Sequence, residues 1–454
     1  QEVFRWCLNQ KGIESVHNPY LFIPSNRYVT TNELKATLST EDYDSEFRKV
    51  KNTNALGSSN MMKLSTLFFS NIRRKSEENG DLKQFVNNPI YLKVNEYLSK
   101  IDYRFELVLL DRSKNVYELN LIKGSQKLDL ASSSSGEREI LNFISGILSL
   151  KIENGLIIID EPEIHLHPIW QKLLLTLIYD LKDEYDIQFI FASHSGTFIT
   201  YNSLKDIFRI YKDDDNSSRI IKPDEVIAEK DLIHMINTTN NNLLFFADIV
   251  ILVEGIADKI IFEKILWKVK MDLSLDLEVV IVNVNGKNWF ARYQNLLNVF
   301  EIQNFVIADF DYLIELSELT LSDLYIVDDI KIDRDVFRNK NSEDGKTLIN
   351  QLENFIKEDS KEELEEFLVY LKSYRKKLKN FTDEENQRVN NEISKLETSV
   401  NTFILRDGEI EDYTITRGGK ISSALSQVKD DEFSAWVDSE KFKYLERIIK
   451  KICT

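Results

Sequence analysis

Apolar runs that stop abruptly on acids set the pattern of this chain. Leu156-Ile157-Ile158-Ile159 closes on Asp160-Glu161, Ile249 to Val253 closes on Glu254-Gly255, and Asn304-Phe305-Val306-Ile307-Ala308 closes on Asp309-Phe310-Asp311. A short run with no polar alternation, bounded by turn residues, suits a parallel strand covered on both faces. Gln188 to Ala192, Glu278 to Val284, Asp323 to Val327 and Phe403-Ile404-Leu405 repeat the pattern. Arg104 to Leu110 and Val116 to Ile122 instead flank a polar turn and predict a hairpin, as does Phe208 to Ile221. Leu21 to Arg27 predicts a short strand broken by Pro24.

Helical spacing fills the intervals. It covers Gln1 to about Gly12, Glu41 to about Lys100 with the apolar patch Met61 to Phe69, and Ala257 to Val269. It also covers Lys340 to Val400, where Leu352, Phe355, Leu364, Phe367, Leu368 and Leu371 stand at helical spacing and suit a helical hairpin packed on the sheet. The pattern predicts an α/β protein of two domains, 1–242 and 243–454, joined through the polar segment Asp231 to Asn242. Helical insertions are expected at about 35–102 and at about 340–400. Leu243-Leu244-Phe245-Phe246-Ala247 is too apolar for a free tether and is expected to dock the second domain onto the first.

In open α/β sheets chemistry collects at the carboxyl ends of strands. Glu254, Asp309 and Asp311 stand at two such ends, with Asp258 one helical turn beyond Glu254. Hard carboxylate oxygens in this arrangement suit Mg²⁺ or Mn²⁺. Upstream, Ser132 to Ile140 opens an apolar helix with small residues, a helix N-terminus whose free N–H groups suit a phosphate. Asp160-Glu161 then suits a nucleotide-bound Mg²⁺ and a polarised water, and Gln188 to Ala192 ends on Ser193-His194-Ser195. With no cysteine or further histidine nearby, His165 and His167 read as structural rather than as metal ligands.

Charge and composition narrow the classes. A net charge of −17 excludes broad, non-specific adhesion to nucleic acid. The basic strips Arg73-Arg74-Lys75, Arg375 to Lys379 and Lys441 to Lys451 read first as solvated helix faces, with a nucleic-acid clamp at Arg375 to Lys379 as the alternative. Cys7 and Cys453 are the only cysteines, which excludes a disulfide framework and a zinc cluster. No apolar run reaches membrane-spanning length and no signal peptide opens the chain, so a cytoplasmic location and no membrane partner are expected.

Glu254-Gly255 followed by Asp309-Phe310-Asp311, the junction FFADIVILVEG, and the segment DEPEIHLHP from Asp160 to Pro168 together resemble the OLD (overcoming lysogenisation defect) nucleases. These fuse an ABC-type P-loop ATPase to a Rossmann-like Toprim domain, and the Gabija nuclease subunit and retron-associated OLD effectors are of this kind. The resemblance implies a DNA endonuclease, regulated by ATP, that acts in antiphage defence as a homodimer or higher oligomer, alone or with a defence-system partner. In such relatives a helical insertion at about 35–102 forms a dimerisation element. Glu254, Asp258, Asp309, Asp311 and Glu411 would hold two divalent ions, with Glu254, Asp309, Asp311 and Lys420 in catalytic roles. Ser134, Gly136 and Glu137 match the ABC signature, Asp160 and Glu161 the paired acids, and His194 the histidine that senses the γ-phosphate.

The chain departs from that pattern at Ser133, where leucine is usual, and in having no G-x-x-x-x-G-K-[ST]; Asn54 to Asn60 is the nearest glycine-serine run and lacks the lysine. The expectation is that the chain begins after the lobe carrying that loop, and a degenerate ATPase is the alternative. A competing class is a non-catalytic, ATP-sensing or nucleic-acid-binding scaffold. A decayed site would be expected to have lost one of Glu254, Asp309 or Asp311, and all three are present.

Overall fold

In a computed structural model the chain divides into two compact units, 1–203 and 204–454. The structure describes residues 20–25, 35–37, 58–130, 133–150, 152, 154–200, 202–213, 215–222, 241–317, 319, 324–327, 354, 357, 376–416 and 420–454.

The first unit runs β1 (Tyr20–Ile23), β2 (Lys35–Thr37), α1 (Ser58–Glu78), α2 (Pro89–Ser99), β3 (Tyr103–Asp111), β4 (Val116–Lys123) and β5 (Gln126–Asp129), then α3 (Ser135–Leu150), β6 (Leu156–Asp160), α4 (Pro168–Tyr185) and β7 (Gln188–Ala192). β6 lies between β1 and β7, all parallel, while β2, β4 and β3 form an antiparallel sheet with β5 beside β4. α3 is buried along nearly its whole length and forms the centre of the unit's core. Its Gly146 admits Met61 of α1, since a Cβ there would stand 2.6 Å from Met61 Cε.

Part of the expected insertion at about 35–102 packs against the rest of the first unit. Met61, Met62, Leu64, Leu67 and Phe69 are all buried in the unit's own core, and Ser145 Oγ of α3 donates to Ser65 Oγ at 3.2 Å. This close packing makes α1 part of the unit's core.

The second unit begins with the hairpin β8 (Arg209–Lys212) and β9 (Ser218–Ile221). It continues through β10 (Ile249–Val253), α5 (Ile256–Leu273), β11 (Val279–Asn283), α6 (Phe290–Val299), β12 (Gln303–Ala308), α7 (Tyr312–Leu316), β13 (Tyr325–Val327) and β14 (Lys376–Leu378). α8 (Asp383–Ser399), β15 (Thr402–Ile404), α9 (Lys420–Gln427), α10 (Asp430–Val437) and α11 (Glu440–Cys453) complete it. Its main sheet has the order β11-β10-β12-β15 with every pair parallel, the Rossmann-like arrangement expected. β10 is buried at all its residues, as a central strand covered on both faces must be.

The expected boundary at 242/243 falls inside this unit. Arg209 donates to the carbonyls of Phe300 (3.2 Å), Glu301 (2.9 Å) and Ala247 (3.3 Å), which ties the hairpin to the sheet's connections. Phe245, expected to dock one domain on the other, is buried edge-on against Phe300 at 5.0 Å within the same unit.

Between 340 and 400 the expected helical run is interrupted. Lys376–Leu378 pairs antiparallel with Tyr325–Val327, and α8 starts at Asp383 behind a Thr382/Glu385 capping box. Local helix propensity is a weak prior, and pairing with an available strand overrides it. Gln1 to Gly12, most of the linker 231–242, Arg375 and the apolar positions from Leu352 to Leu371 lie outside the described residues.

Gly136, at the start of α3, has no room for a side chain: a Cβ would meet the His165 carbonyl oxygen at 2.5 Å and Trp170 Cζ3 at 2.8 Å. Gly136→Ala is expected to destabilise the first unit by about 1–3 kcal/mol, the usual cost of overpacking. Urea unfolding followed by probes in each unit reads this, and an unshifted first-unit transition would contradict the packing described.

Candidate metal centre

Every strand of the main sheet in the second unit delivers charge to the same edge. The register pairs Val253 with Asn283 and with Ile307, and Ala308 with Ile404, so the carboxyl ends are level. Glu254 follows β10, and its backbone carbonyl takes the Gly286 N–H at 3.1 Å. Asp258 sits in the first turn of α5, where its Oδ2 accepts the Gly255 N–H at 2.7 Å. Asp309 follows β12, and Asp311 caps α7. Lys287 follows β11, with Nζ 3.2 Å from Asp311 Oδ2 and 2.7 Å from Glu315 Oε1.

The loop after β15 supplies the remaining acids and is held at both ends. Leu405 N–H reaches the Ala308 carbonyl at 2.8 Å, and Phe310 N–H reaches the Gly408 carbonyl at 2.9 Å. Gly408 has φ +132°, and a Cβ there would stand 2.2 Å from Asp412 Oδ2, so only glycine fits. The buried Trp436 donates its indole N–H to the Tyr413 carbonyl at 2.8 Å, and Tyr413 Oη accepts the Asp407 N–H at 2.8 Å.

This frame presents Glu409 and Glu411. Lys420 Nζ lies 2.8 Å from Glu409 Oε2 and 3.6 Å from Glu411 Oε1. Both Glu411 carboxylate oxygens are buried without a hydrogen-bond partner.

Crowding shows in the proton affinities. Burial, then the charges of Asp258, Glu409 and Glu254, push Asp309 up to about 9. Burial, then Glu411 and Glu254, push Asp258 up to about 7. Glu254 is raised by burial and by Asp311. Desolvation works against the Lys420 ammonium, but Glu409, Glu411 and Asp309 outweigh it and hold its pKa above the usual lysine value. Lys287 follows the same pattern, with desolvation outweighed by Glu315 and Asp311.

The expected set Glu254, Asp258, Asp309, Asp311, Glu411 and Lys420 thus forms one electrostatic unit. Lys287 and Glu409 also belong to it. Their sequence signals, a lysine after a strand-closing Asn283-Val284-Asn285-Gly286 and the first acid of an acid-x-acid pair, were weak. Among the described residues no three His, Cys, Asp or Glu side chains are gathered closely enough to hold an ion as they stand. The donors still fit a hard divalent cation in kind: all are carboxylates, and the buried Glu411 oxygens take no hydrogen bond, with only the Lys420 ammonium at 3.6 Å from Oε1.

In the first unit the expected nucleotide-facing residues come from two places. Asp160 ends β6 opposite Ala192, and the Glu161 N–H reaches the Ala192 carbonyl at 2.9 Å, with Glu161 at φ +47°. Glu163, between the paired acids and the histidines, accepts from Ser193 Oγ (2.8 Å) and from the His194 N–H (2.7 Å). Asp160, Glu161 and His194 therefore share one end of the parallel sheet.

Ser134 and Glu137 form a reciprocal capping box on α3, with Ser134 N–H to Glu137 Oε2 at 2.8 Å and Glu137 N–H to Ser134 Oγ at 3.3 Å. Burial opposes the Glu137 charge, but hydrogen bonds from Tyr103 Oη (2.5 Å) and Ser134 keep its pKa low. Gly136 brings this helix start against the His165 carbonyl, beside the loop that follows the paired acids.

His167 caps α4 by accepting the Ile169 N–H at 3.3 Å through Nδ1, the structural role expected of it. Within the basic strips, Lys451 pairs with Glu397 at 2.6 Å as on a solvated helix face, whereas Arg73, read as solvated, is 24% exposed, pairs with Glu77 at 3.0 Å and donates to the Leu107 carbonyl of β3. Among the described residues no helix is long and apolar enough to cross a membrane.

Comparison with known proteins finds a family model that matches part of each unit. Residues 23–200 match the model of the "AAA domain, putative AbiEii toxin, Type IV TA system", and residues 245–311 match that of the "Overcoming lysogenization defect protein-like, TOPRIM domain". The probable ATPase of retron Vc95 from Vibrio cholerae serotype O1 biovar El Tor is 24% identical over 215 residues, 44% of this chain and 36% of that protein. An OLD nuclease from Thermus scotoductus is 25% identical over 168 residues, 35% of this chain and 31% of its own. The Old nuclease of Escherichia phage P2 is 25% identical over 169 residues, 36% and 29% respectively. The chain spans about a third of the length of these relatives.

The raised carboxyl groups carry a sign that can be tested. Unfolded aspartate titrates near pH 3.9, whereas folded Asp258 and Asp309 hold their protons to about 7 and about 9. Their contribution to stability is complete below the unfolded value and is lost as pH rises through the folded ones. In chelator, thermal stability is therefore expected to fall from about pH 4 to about pH 9, the interval between these values. Asp309→Asn should flatten the decline and melt several degrees higher at pH 8. A lower melting point for that variant at pH 8 would contradict the electrostatics.

Proposed function

We propose that this chain, an OLD-family protein joining an AAA-type ATPase domain to a TOPRIM domain, is a metal-dependent nuclease. It hydrolyses phosphodiester bonds of DNA under control of its ATPase half and serves as an effector of antiphage defence. The observation that carries this reading is the buried Glu411 carboxylate, free of hydrogen bonds, beside acids from two other strand ends whose pKa values are raised. A carboxylate placed for structure alone would take hydrogen bonds, and this one keeps its lone pairs for a ligand. The probable ATPase of a retron among the relatives supports the ATPase half of this reading.

Glu254, Asp258, Asp309, Asp311 and Glu411 would hold Mg²⁺ or Mn²⁺, two ions per site. Bound divalent ions supply a hydroxide-like nucleophile at neutral pH and positive charge for the leaving oxygen. The chain's own residues prepare that state. At neutral pH Asp309 retains its proton and Asp258 holds one part of the time, so loading the site releases protons and affinity rises with pH. Lys420 stays protonated at the rim, where Glu409 holds its ammonium for the substrate phosphate or the leaving oxygen.

In the first unit the α3 N-terminus at Ser134 and Gly136, capped by Glu137, offers N–H groups to a phosphate. Asp160 would hold a nucleotide-bound Mg²⁺, Glu161 would polarise the water, and His194 would sense the γ-phosphate, making ATP a regulator. A homodimer or larger assembly, alone or with a defence partner, completes the proposal.

Cleavage of a panel of DNA and RNA substrates with Mg²⁺ or Mn²⁺ tests it. Asp309→Ala and Glu411→Gln should each reduce cleavage to background while circular dichroism and assembly remain those of the wild type. Wild-type rates in either variant would remove that residue from the site. Calorimetric titration of these 454 residues with Mg²⁺-ATP is expected to show weak or no binding, because no lysine-bearing phosphate loop lies within them. Tight binding would show that another element anchors the phosphates.

A further inference from the structure

The ion triad at Lys287 lies at the rim of the carboxylate centre but is not explained by it. Lys287 Nζ stands 2.7 Å from Glu315 Oε1 and 3.2 Å from Asp311 Oδ2, so it bridges one acid expected to bind metal and one that is not. Its backbone is fixed to the site: Gly286, at φ +118°, donates its N–H to the carbonyl of Glu254. Glu315 is one turn along α7 from Asp311, on the solvent side, with its side chain 41% exposed against 27% for Asp311. The lysine thus has two seats, an outer one on Glu315 and an inner one on Asp311.

We propose that Lys287 is a resident counter-cation that a divalent ion must displace from Asp311, with Glu315 as the seat to which its ammonium withdraws. This rests on the reading of the carboxylate centre as a metal site. Without a metal, the acids at this sheet edge repel one another, and a lysine ammonium beside Asp311 offsets part of that repulsion. A divalent ion needs the same Asp311 oxygens by direct coordination, and an ammonium hydrogen-bonded to Oδ2 competes for them. Retreat to Glu315, already the shorter contact, keeps the lysine charge satisfied without breaking the chain's hold on Glu254. Metal occupancy is thereby set against an internal competitor, giving the site a threshold for divalent ion rather than the tightest binding its acids allow.

The test is calorimetric titration of the full chain with Mn²⁺ chloride for wild type, Lys287→Met, Lys287→Arg, Glu315→Gln, the Lys287→Met/Glu315→Gln double variant, and Asp309→Asn. Lys287→Met should bind Mn²⁺ about tenfold more tightly, the equivalent of one pKa unit of coupling, and should melt lower in chelator. Lys287→Arg should keep wild-type affinity.

Glu315→Gln should weaken Mn²⁺ binding by driving the ammonium onto Asp311. In the Lys287→Met background the same change should have no effect, because Glu315 acts only through the lysine. If Glu315→Gln weakens binding equally in both backgrounds, the effect is general electrostatics and the displacement model fails. It also fails if Lys287→Met folds and binds no more tightly than wild type. If Lys287→Met does not fold, unchanged affinity in Glu315→Gln overturns it. A wild type that takes up no Mn²⁺, or an Asp309→Asn variant that binds like wild type, would instead overturn the metal site itself and the proposal with it.

Discussion

Crowded negative charge at the open edge of a parallel sheet is the constraint that the second unit is built around. Level strand ends bring Glu254, Asp309 and the loop bearing Glu411 to one edge, and burial there makes the charges of Glu254 and Asp309 harder to carry. The fold answers with rigid backbone rather than with neutral residues. Gly408 accepts the Phe310 N–H in a conformation closed to other residues, Tyr413 is bonded by Trp436, and Asp258 takes the N–H of Gly255. Lys287 pairs with Asp311 and Lys420 with Glu409, and both offset part of the repulsion at Glu254. A site held in this way can be ready for cations before any arrives.

The first unit repeats the device on a smaller scale. Its parallel strands end on Asp160-Glu161 and Ser193-His194, and Glu163 binds the second end to the loop after the first. α3 starts beside that loop because Gly136 permits contact with the His165 carbonyl, and the Ser134–Glu137 capping box fixes its first turn. Each unit therefore places polar chemistry at the carboxyl ends of buried strands, where the backbone runs out of partners and side chains meet solvent.

The strands that position both sites were legible from short apolar runs: β10 is buried at every residue, whereas β7, expected to be buried, has no buried residue and leaves Ile190 exposed. Glu254 and Asp309 could be read at their ends for the same reason. What could not be read depends on contacts distant in sequence. Arg209 reaches carbonyls some 90 residues away and draws its hairpin into the second unit, a pairing no local pattern encodes. The patch at Met61 to Phe69 reads as a helix face packed on something, and only the fold shows that its partner is α3. Lys287 and Glu409 look like ordinary surface charges in sequence, and only the sheet register puts them beside the acids. The short strand Lys376–Leu378 was hidden by residues with helical propensity.

The central claim, that acids from separate strand ends form one divalent-cation site, is most directly tested by anomalous diffraction from crystals grown with Mn²⁺, with data at the manganese edge. The account predicts anomalous density at the carboxyl edge of the second unit's sheet, bounded by Glu254, Asp309 and Glu411, with Lys287 turned away from Asp311. Fully occupied manganese found only elsewhere on the protein, with Glu411 still bare, would contradict it.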